Sequence, residues 1–347
     1  MRQRVLILVL LAAFAALGVA QAASAGAAAR APSFALRPVK YDPRLPETKS
    51  YFVLDLQPGQ RIMDRIRVTN VGAAAGVVKL YAVDATTGRT SGTVYKNGRA
   101  PRRDAGGWID LSQSRLTLQP GQSRVVTFSV SVPLGASPGD HVAGIVADNQ
   151  KLTQRKHGGA IRIKIKHLTV DAVVVRVAGH TAAGLRVSRA TATGGNGFQY
   201  LNLALANTGD VMIKPAGTLV VQSGGKTILR RSLRLDTLIP DTHIAYPVSL
   251  PTALRPGSYD AVVSLHYGSR VLVNGDGVGG PLAVSQTLPF RVSSGQYTQV
   301  FKGAPPLTQP ASSGMSFPLL LSWVIAALAV LALLAVVVMR RRVLVRS

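Results

Sequence analysis

Short runs in which apolar and polar residues alternate recur along this chain, punctuated by Pro-Gly, Asn-Gly and Gly-Gly, and between its two ends no amphipathic helical period interrupts them. A period of two rich in β-branched residues specifies strands, so the chain is expected to be all-β. The clearest run is Arg61–Asn70, RIMDRIRVTN. Ile62, Ile66 and Val68 share one face of it, while Arg61, Arg65, Arg67 and Thr69 point the other way. One face packs and the other stays wet. Further strands are expected over residues 51–56, 77–84, 115–118, 125–132, 141–147 and 161–177.

The second half repeats the order of the first. VTNVG at 68–72 is echoed by LANTG at 205–209. LTLQPGQSRVVTFSVSVPLGASPGDHVAGIVA at 116–147 is echoed by DTLIPDTHIAYPVSLPTALRPGSYDAVVSLHY at 236–267. In each long segment a leucine strand meets a proline turn, an alternating strand ends in Val-Pro or Leu-Pro, and Pro-Gly opens the next strand. Two immunoglobulin-like β-sandwich domains in tandem, over 33–178 and 179–292, account for the repetition. A single long barrel is the other architecture compatible with so many strands, and the break at Ala178-Gly179-His180-Thr181 argues against it.

Both ends differ from this middle. Met1-Arg2-Gln3-Arg4, an apolar stretch and small residues around Ala23-Ser24-Ala25 read as a secretory signal peptide over 1–25, with an uncleaved anchor as the alternative. Residues 317–339 contain no charge, would make a helix of about 34 Å, and stop against Arg340, Arg341 and Arg342. They are expected to cross a bilayer, leaving a basic cytoplasmic tail over 340–347. The Pro, Ser and Gly residues of 293–316 read as a stalk. The expected location is the bacterial cytoplasmic membrane, single-pass, with the ectodomain facing the cell wall. There is no cysteine, so packing alone must hold the fold.

The chain carries 40 Lys and Arg against 15 Asp and Glu. Removing the six arginines at 2, 4, 340, 341, 342 and 346 leaves 34 bases against the 15 acids, a net +19 outside the two terminal segments. Such a charge favours acidic partners, expected here to be wall polymers or anionic headgroups and not nucleic acid; solubility alone is the competing explanation.

Candidate binding residues follow from chemistry. Trp108, after Gly106-Gly107, either stacks on a sugar face or closes one end of a sandwich core, and Tyr81 and Tyr95 pose the same choice. IRIKIK at 161–166 alternates strictly, placing Arg162, Lys164 and Lys166 in one row, with Lys151, Arg155 and Lys156 just before it. That row suits phosphate or carboxylate polymers, or else serves as a solvated face that discourages edge pairing. Arg99, Arg102 and Arg103 read as a solvated loop. The six histidines show no HExxH or HxH spacing, and NGDGVGG at 274–280 offers one carboxylate where a calcium loop needs several. No metal or cofactor is expected. Nucleophile elbows and Ser-x-x-Lys boxes are missing, so no enzymatic activity is expected either.

The series FALRPVKYDPRLPETKSYFVLDLQPGQRIMDRIRVTNVG, VVKLYAVDATTGRTSGTVY, GGWIDL and LTLQPGQSRVVTFSVSVPLGASPGDHVAGIV resembles the peptidoglycan-binding domain of the WxL-interacting cell-surface proteins, over residues 33–147. In that family a signal peptide, this domain, a second β-sandwich and a C-terminal transmembrane helix occur together. The resemblance implies a first domain that contacts peptidoglycan and a second that meets a host or surface protein. The expectation is therefore a membrane-anchored surface protein that binds the wall and presents a protein-interaction domain. The alternative is a chaperone-like or assembly factor for exported proteins that acts by edge-strand pairing.

Overall fold

The computed structural model describes residues 31–301 apart from residue 152, residues 158–160, residue 196 and residues 269–280. The expected signal peptide, membrane-spanning segment and basic tail, and the glycine-rich loop at 274–280, lie outside the described residues. Among the described residues no helix is long and apolar enough to cross a membrane.

The described chain is all-β, with its sheets stacked as in a sandwich. The first sheet has the order β1 (Phe34–Pro38), β3 (Arg61–Asn70), β8 (Ser123–Ser131), β6 (Ile109–Leu111). Facing it is a sheet of β2 (Phe52–Leu56), β12 (Leu168–Val177), β9 (Gly139–Asn149), β4 (Gly76–Thr87) and β5 (Thr93–Tyr95), with β7 (Arg115–Leu118) also on β4. The alternation read in the sequence does the packing: Ile66 and Val68 of β3 and Val126, Phe128 and Val130 of β8 are buried against Val173, Val175 and Val177 of β12 and Ala143 and Ile145 of β9. Phe128 meets Phe52 edge-on at 4.9 Å.

A second pair follows. β13 (Leu185–Gly195), β14 (Phe198–Asn207) and β17 (His243–Ser249) form one sheet. β16 (Lys226–Arg234), β15 (Ala216–Ser223), β18 (Gly257–Tyr267) and β19 (Leu282–Val292) form the other. Leu201, Leu203 and Leu205 of β14 and Val263 and Leu265 of β18 are fully buried.

The sequence repeat reappears as a repeat of hydrogen bonds. The buried Asn70 side chain donates to the carbonyls of Ala74 (2.8 Å) and Leu118 (3.0 Å), and its oxygen accepts from Gly72 N–H (3.0 Å). Asn207 donates to Val211 (2.9 Å) and Leu238 (3.0 Å) and accepts from Gly209 N–H (3.0 Å). Beside each amide the chain's entry into the sheet pair is pinned, by Val71 N–H to Ser33 O (2.8 Å) in the first and Thr208 N–H to Gly184 O (3.0 Å) in the second. Glycine is obligatory two residues after each asparagine. A Cβ on Gly72 would sit 2.3 Å from Ala31 O, and one on Gly209 would sit 2.4 Å from Ala182 O.

Contacts gather the chain into two compact units, one comprising Met1–Ala192, Leu201–Val248 and Ser258–Arg291, the other Thr193–Tyr200, Ser249–Gly257 and Val292–Ser347. Within the first, the two sheet pairs are tied at the start of β9. Asp140 N–H donates to Asp210 O (2.8 Å), and the Asp140 carboxylate accepts from Met212 N–H (2.9 Å). Ile239 N–H donates to Thr87 Oγ1 (2.9 Å), Gly92 N–H to Thr237 O (2.9 Å) and Asp236 N–H to Ser91 Oγ (2.7 Å). Val142, Val174, Met212 and Ile239 close an apolar contact among these bonds.

In the other unit the buried Gln199 amide accepts from Leu254 N–H (2.7 Å), and its backbone carbonyl accepts from Leu250 N–H (3.0 Å). A helix, α2 (Ser294–Phe301), occupies the first part of the expected stalk. Ser293 and Gln296 build its start reciprocally: Gln296 N–H donates to Ser293 Oγ (3.1 Å) and Ser293 N–H to Gln296 Oε1 (3.2 Å), the capping-box arrangement.

The asparagine corners generate a stability prediction. Truncating either amide leaves three buried or part-buried backbone groups without that partner, each costing up to about 1–3 kcal/mol. Asn70→Ala and Asn207→Ala are each expected to lower the unfolding free energy by roughly 3 kcal/mol. Denaturant titration of each variant checks this.

Candidate strand-pairing surface

β9 and β12 are the two arms of one hairpin, in register from Leu168 opposite Asp148 to Val177 opposite Gly139. Both arms outrun their neighbours. β4 covers β9 as far as Asn149, opposite Val78, and β2 runs parallel to β12 only from Val173 to Val177. Past that point the hairpin continues as a separate two-stranded sheet, β10 (Thr153–His157) with β11 (Ile161–Ile165). Thr153 pairs with Ile165, Arg155 with Ile163 and His157 with Ile161. Among the described residues no third strand joins this ribbon, so each arm has an outer edge of unpaired backbone N–H and C=O groups.

The sequence expected one strand over 161–177, and the structure divides it at Lys166 and His167. Arg162 and Lys164 lie on β11, opposite Lys156 and Gln154. Lys166 lies at the ribbon's base, where its Nζ is 2.8 Å from Oδ2 of the buried Asp148. It braces the hairpin, and so differs from the free member of a basic row that the alternation suggested.

Tyr81 of β4 faces Val146 of β9, and Tyr95 at the end of β5 lies over Gly144, where an added Cβ would come within 2.6 Å of its ring. The two tyrosines share the sheet face turned away from the sandwich core. Burial raises the pKa of Tyr81, with Asp148 adding to the effect, and burial with the field of Asp171 pushes that of Tyr95 to about 12.

Trp108 is elsewhere. It ends the short helix α1 (Ala105–Trp108), packs against the core of the first sheet pair and lies 4.7 Å from the His141 ring. The loop leading to it is held by the buried Asp84 carboxylate, which accepts from the N–H groups of Arg103 (2.7 Å) and Gly106 (3.0 Å). His141 Nδ1 meets Asp104 Oδ1 at 2.6 Å and Nε2 meets Ser137 O at 2.9 Å, so an acceptor faces each ring nitrogen. Burial works against the imidazolium, but these two bonds prevail and its pKa is raised. The three aromatic candidates therefore form no shared platform for a sugar.

Two acids that sequence reasoning passed over are informative. Asp140 holds the sheet pairs together and has Arg176 Nε 3.5 Å away. Asp171 of β12 is 3% exposed, and neither carboxylate oxygen has a hydrogen-bond partner. Burial pushes its pKa up to about 7, opposed by the positive charge of Arg37. Neither role leaves a trace in spacing, since each depends on what the sheets bring near. Among the described residues no cluster of three or more His, Asp or Glu can hold a metal.

No protein-family model matches the chain, and no curated protein matches it. Among solved structures it is similar to the class 5 fimbriae chaperone CfaA, with 13% identity and a TM-score of 0.36 over 74% of this chain and 99% of that one. It is also similar to the E. coli chaperone DraB, with 14% identity and a TM-score of 0.34 over 76% and 100%. A third is the Salmonella enterica SafA pilin in complex with the SafB chaperone, at 11% identity and a TM-score of 0.33 over 75% and 96%. These are chaperone structures, and the expected function of binding peptidoglycan through the first domain is corrected. The separation of Trp108 from Tyr81 and Tyr95 agrees with that correction. A likeness at this level reaches no further than the fold, and it leaves the resemblance to the WxL-interacting family unaddressed.

Asp171 supplies a pH prediction. Its carboxyl titrates near 7 when folded and near 3.8 when unfolded, so between those values the native state binds more protons and stability falls as pH rises. Asp171→Val removes this loss. The variant is expected to gain on the parent by up to about 4 kcal/mol at pH 8, the gap closing as pH falls towards 4. Urea midpoints at several pH values test it.

Proposed function

We propose that this chain is a chaperone-like assembly factor that pairs the open edge of its β10–β11 ribbon with an extended segment of another exported protein. The observation that carries the reading is the ribbon itself, a two-stranded extension with no further strand along either edge among the described residues. Backbone groups along such an edge bind a strand whatever its sequence, and the alternating side chains select it. In the sequence of β11, Ile161, Ile163 and Ile165 alternate with Arg162 and Lys164, a pattern that suits a segment apolar on one face and acidic on the other. The same basic row repels a second copy of the ribbon, which keeps the edge from being consumed by self-pairing.

On this reading the two sheet pairs are immunoglobulin-like domains over 33–178 and 179–292. A signal peptide over 1–25 exports them, and the apolar segment 317–339 holds them at the outer face of the cytoplasmic membrane. The partner is another exported or surface protein.

The test is fluorescence anisotropy of the full chain with synthetic peptides alternating Val and Glu, against the same peptides N-methylated at every second backbone nitrogen. The Val-Glu peptide is expected to bind, and N-methylation or Ile163→Pro to weaken binding more than tenfold with the melting curve unchanged. Binding indifferent to N-methylation and to Ile163→Pro, or no binding by any alternating peptide, overturns the reading.

A further inference from the structure

The outer face of the β1-β3-β8-β6 sheet carries a row of arginines. Arg61, Met63, Arg65 and Arg67 alternate along β3 with Ile62, Asp64, Ile66 and Val68, so all four project from this face, and all four are exposed. Arg37 of β1 is also exposed and stands directly opposite Arg67 in the antiparallel register. Two like charges at a cross-strand position destabilise a sheet. Among the described residues none of the four arginines lies in an ion pair, and Asp110 on β6 is the carboxylate that shares the face.

Across from the arginines are hydroxyls. Thr69 faces Ser123, Arg65 faces Thr127 and Arg61 faces Ser131, while Arg61 Nη2 also donates to Ser129 Oγ (3.2 Å). Guanidinium groups spread over a hydroxyl-bearing sheet face match an array of phosphates, which arginine binds through two parallel N–H groups. An apolar side chain stands in the middle of them: Met63 is 73% exposed between Arg61 and Arg65. A cationic sheet face with one projecting apolar side chain fits a lipid headgroup layer, where the charges meet phosphate and the thioether reaches the acyl boundary. Proximity rests on the reading above in which the uncharged segment 317–339 anchors the chain: such a tether would supply it, turning a weak surface contact into an intramolecular one.

We propose that this face docks onto an anionic phospholipid bilayer, with Arg37, Arg61, Arg65 and Arg67 on headgroup phosphates and Met63 at the acyl boundary. The ribbon edge is a separate surface, so either activity can be lost without the other.

The chain has no cysteine, so Met63→Cys gives a unique attachment point for an environment-sensitive fluorophore. The labelled full chain is reconstituted in nanodiscs of phosphatidylcholine alone or with phosphatidylglycerol, and Ile228→Cys, 52% exposed on β16, is the control position. A blue shift at position 63 is expected only in anionic discs. It should diminish at high salt, and the docked-to-undocked ratio should fall about fivefold for each of Arg65→Ala and Arg67→Ala. Equal emission in both disc types, or an equal shift at position 228, overturns the proposal. A shift produced by added polyglutamate and not by anionic lipid also overturns it and assigns the face to an acidic polypeptide.

Discussion

Everything in this fold hangs from a buried carboxamide used twice. In a chain without disulfides, the point where a strand leaves one sheet and the polypeptide crosses to the next must be fixed by hydrogen bonds inside the core. Asn70 and Asn207 do this with both ends of the side chain, donating to two carbonyls and accepting from the glycine N–H two residues on. A serine or threonine in either place has one donor and cannot bridge two carbonyls. An aspartate has no donor when ionised. The corner therefore demands Asn followed by Gly at the second position, and the rest of each sheet pair is built outward from it.

That demand explains why the repeat was legible. VTNVG and LANTG share little beyond the asparagine and the glycine, yet those two residues fix the corner's geometry. Pro120-Gly121 and Pro240-Asp241 correspond in the same way. Gly121 adopts φ +74° and Asp241 φ +56°, so Asp241 takes the left-handed turn position that glycine fills in the first copy. The strand at 61–70 was equally legible, because its alternation is a direct image of one buried and one wet face.

What escaped the sequence depends on distance in the fold. Nothing in LTVDAVVVRV marks Asp171 as a carboxylate without a partner, since its environment comes from other strands packed around it. The clasp of His141 between Asp104 and Ser137 joins a strand to a loop 37 residues away. Trp108 had two readings, a sugar platform or the end of a sandwich core, and it packs against the core of the first sheet pair. The capping residues Ser293 and Gln296 were visible, but a composition rich in Ser and Gly reads as a stalk when the cap is not weighed against it.

The division of the expected 161–177 strand says most about how the fold makes a surface available. A strand of that length with both edges covered would be one more element of the sandwich. Here β4 and β2 stop short, and among the described residues β10 and β11 pair only with each other. The ribbon leaves a backbone edge open, and Lys166 on Asp148 braces it at its base. The exposed arginines of β3 occupy a different sheet, on the wet face of a strand whose other face is core. The bonds at Asp140 join the start of β9, in the ribbon's parent sheet, to Asp210 and Met212 within the same compact unit.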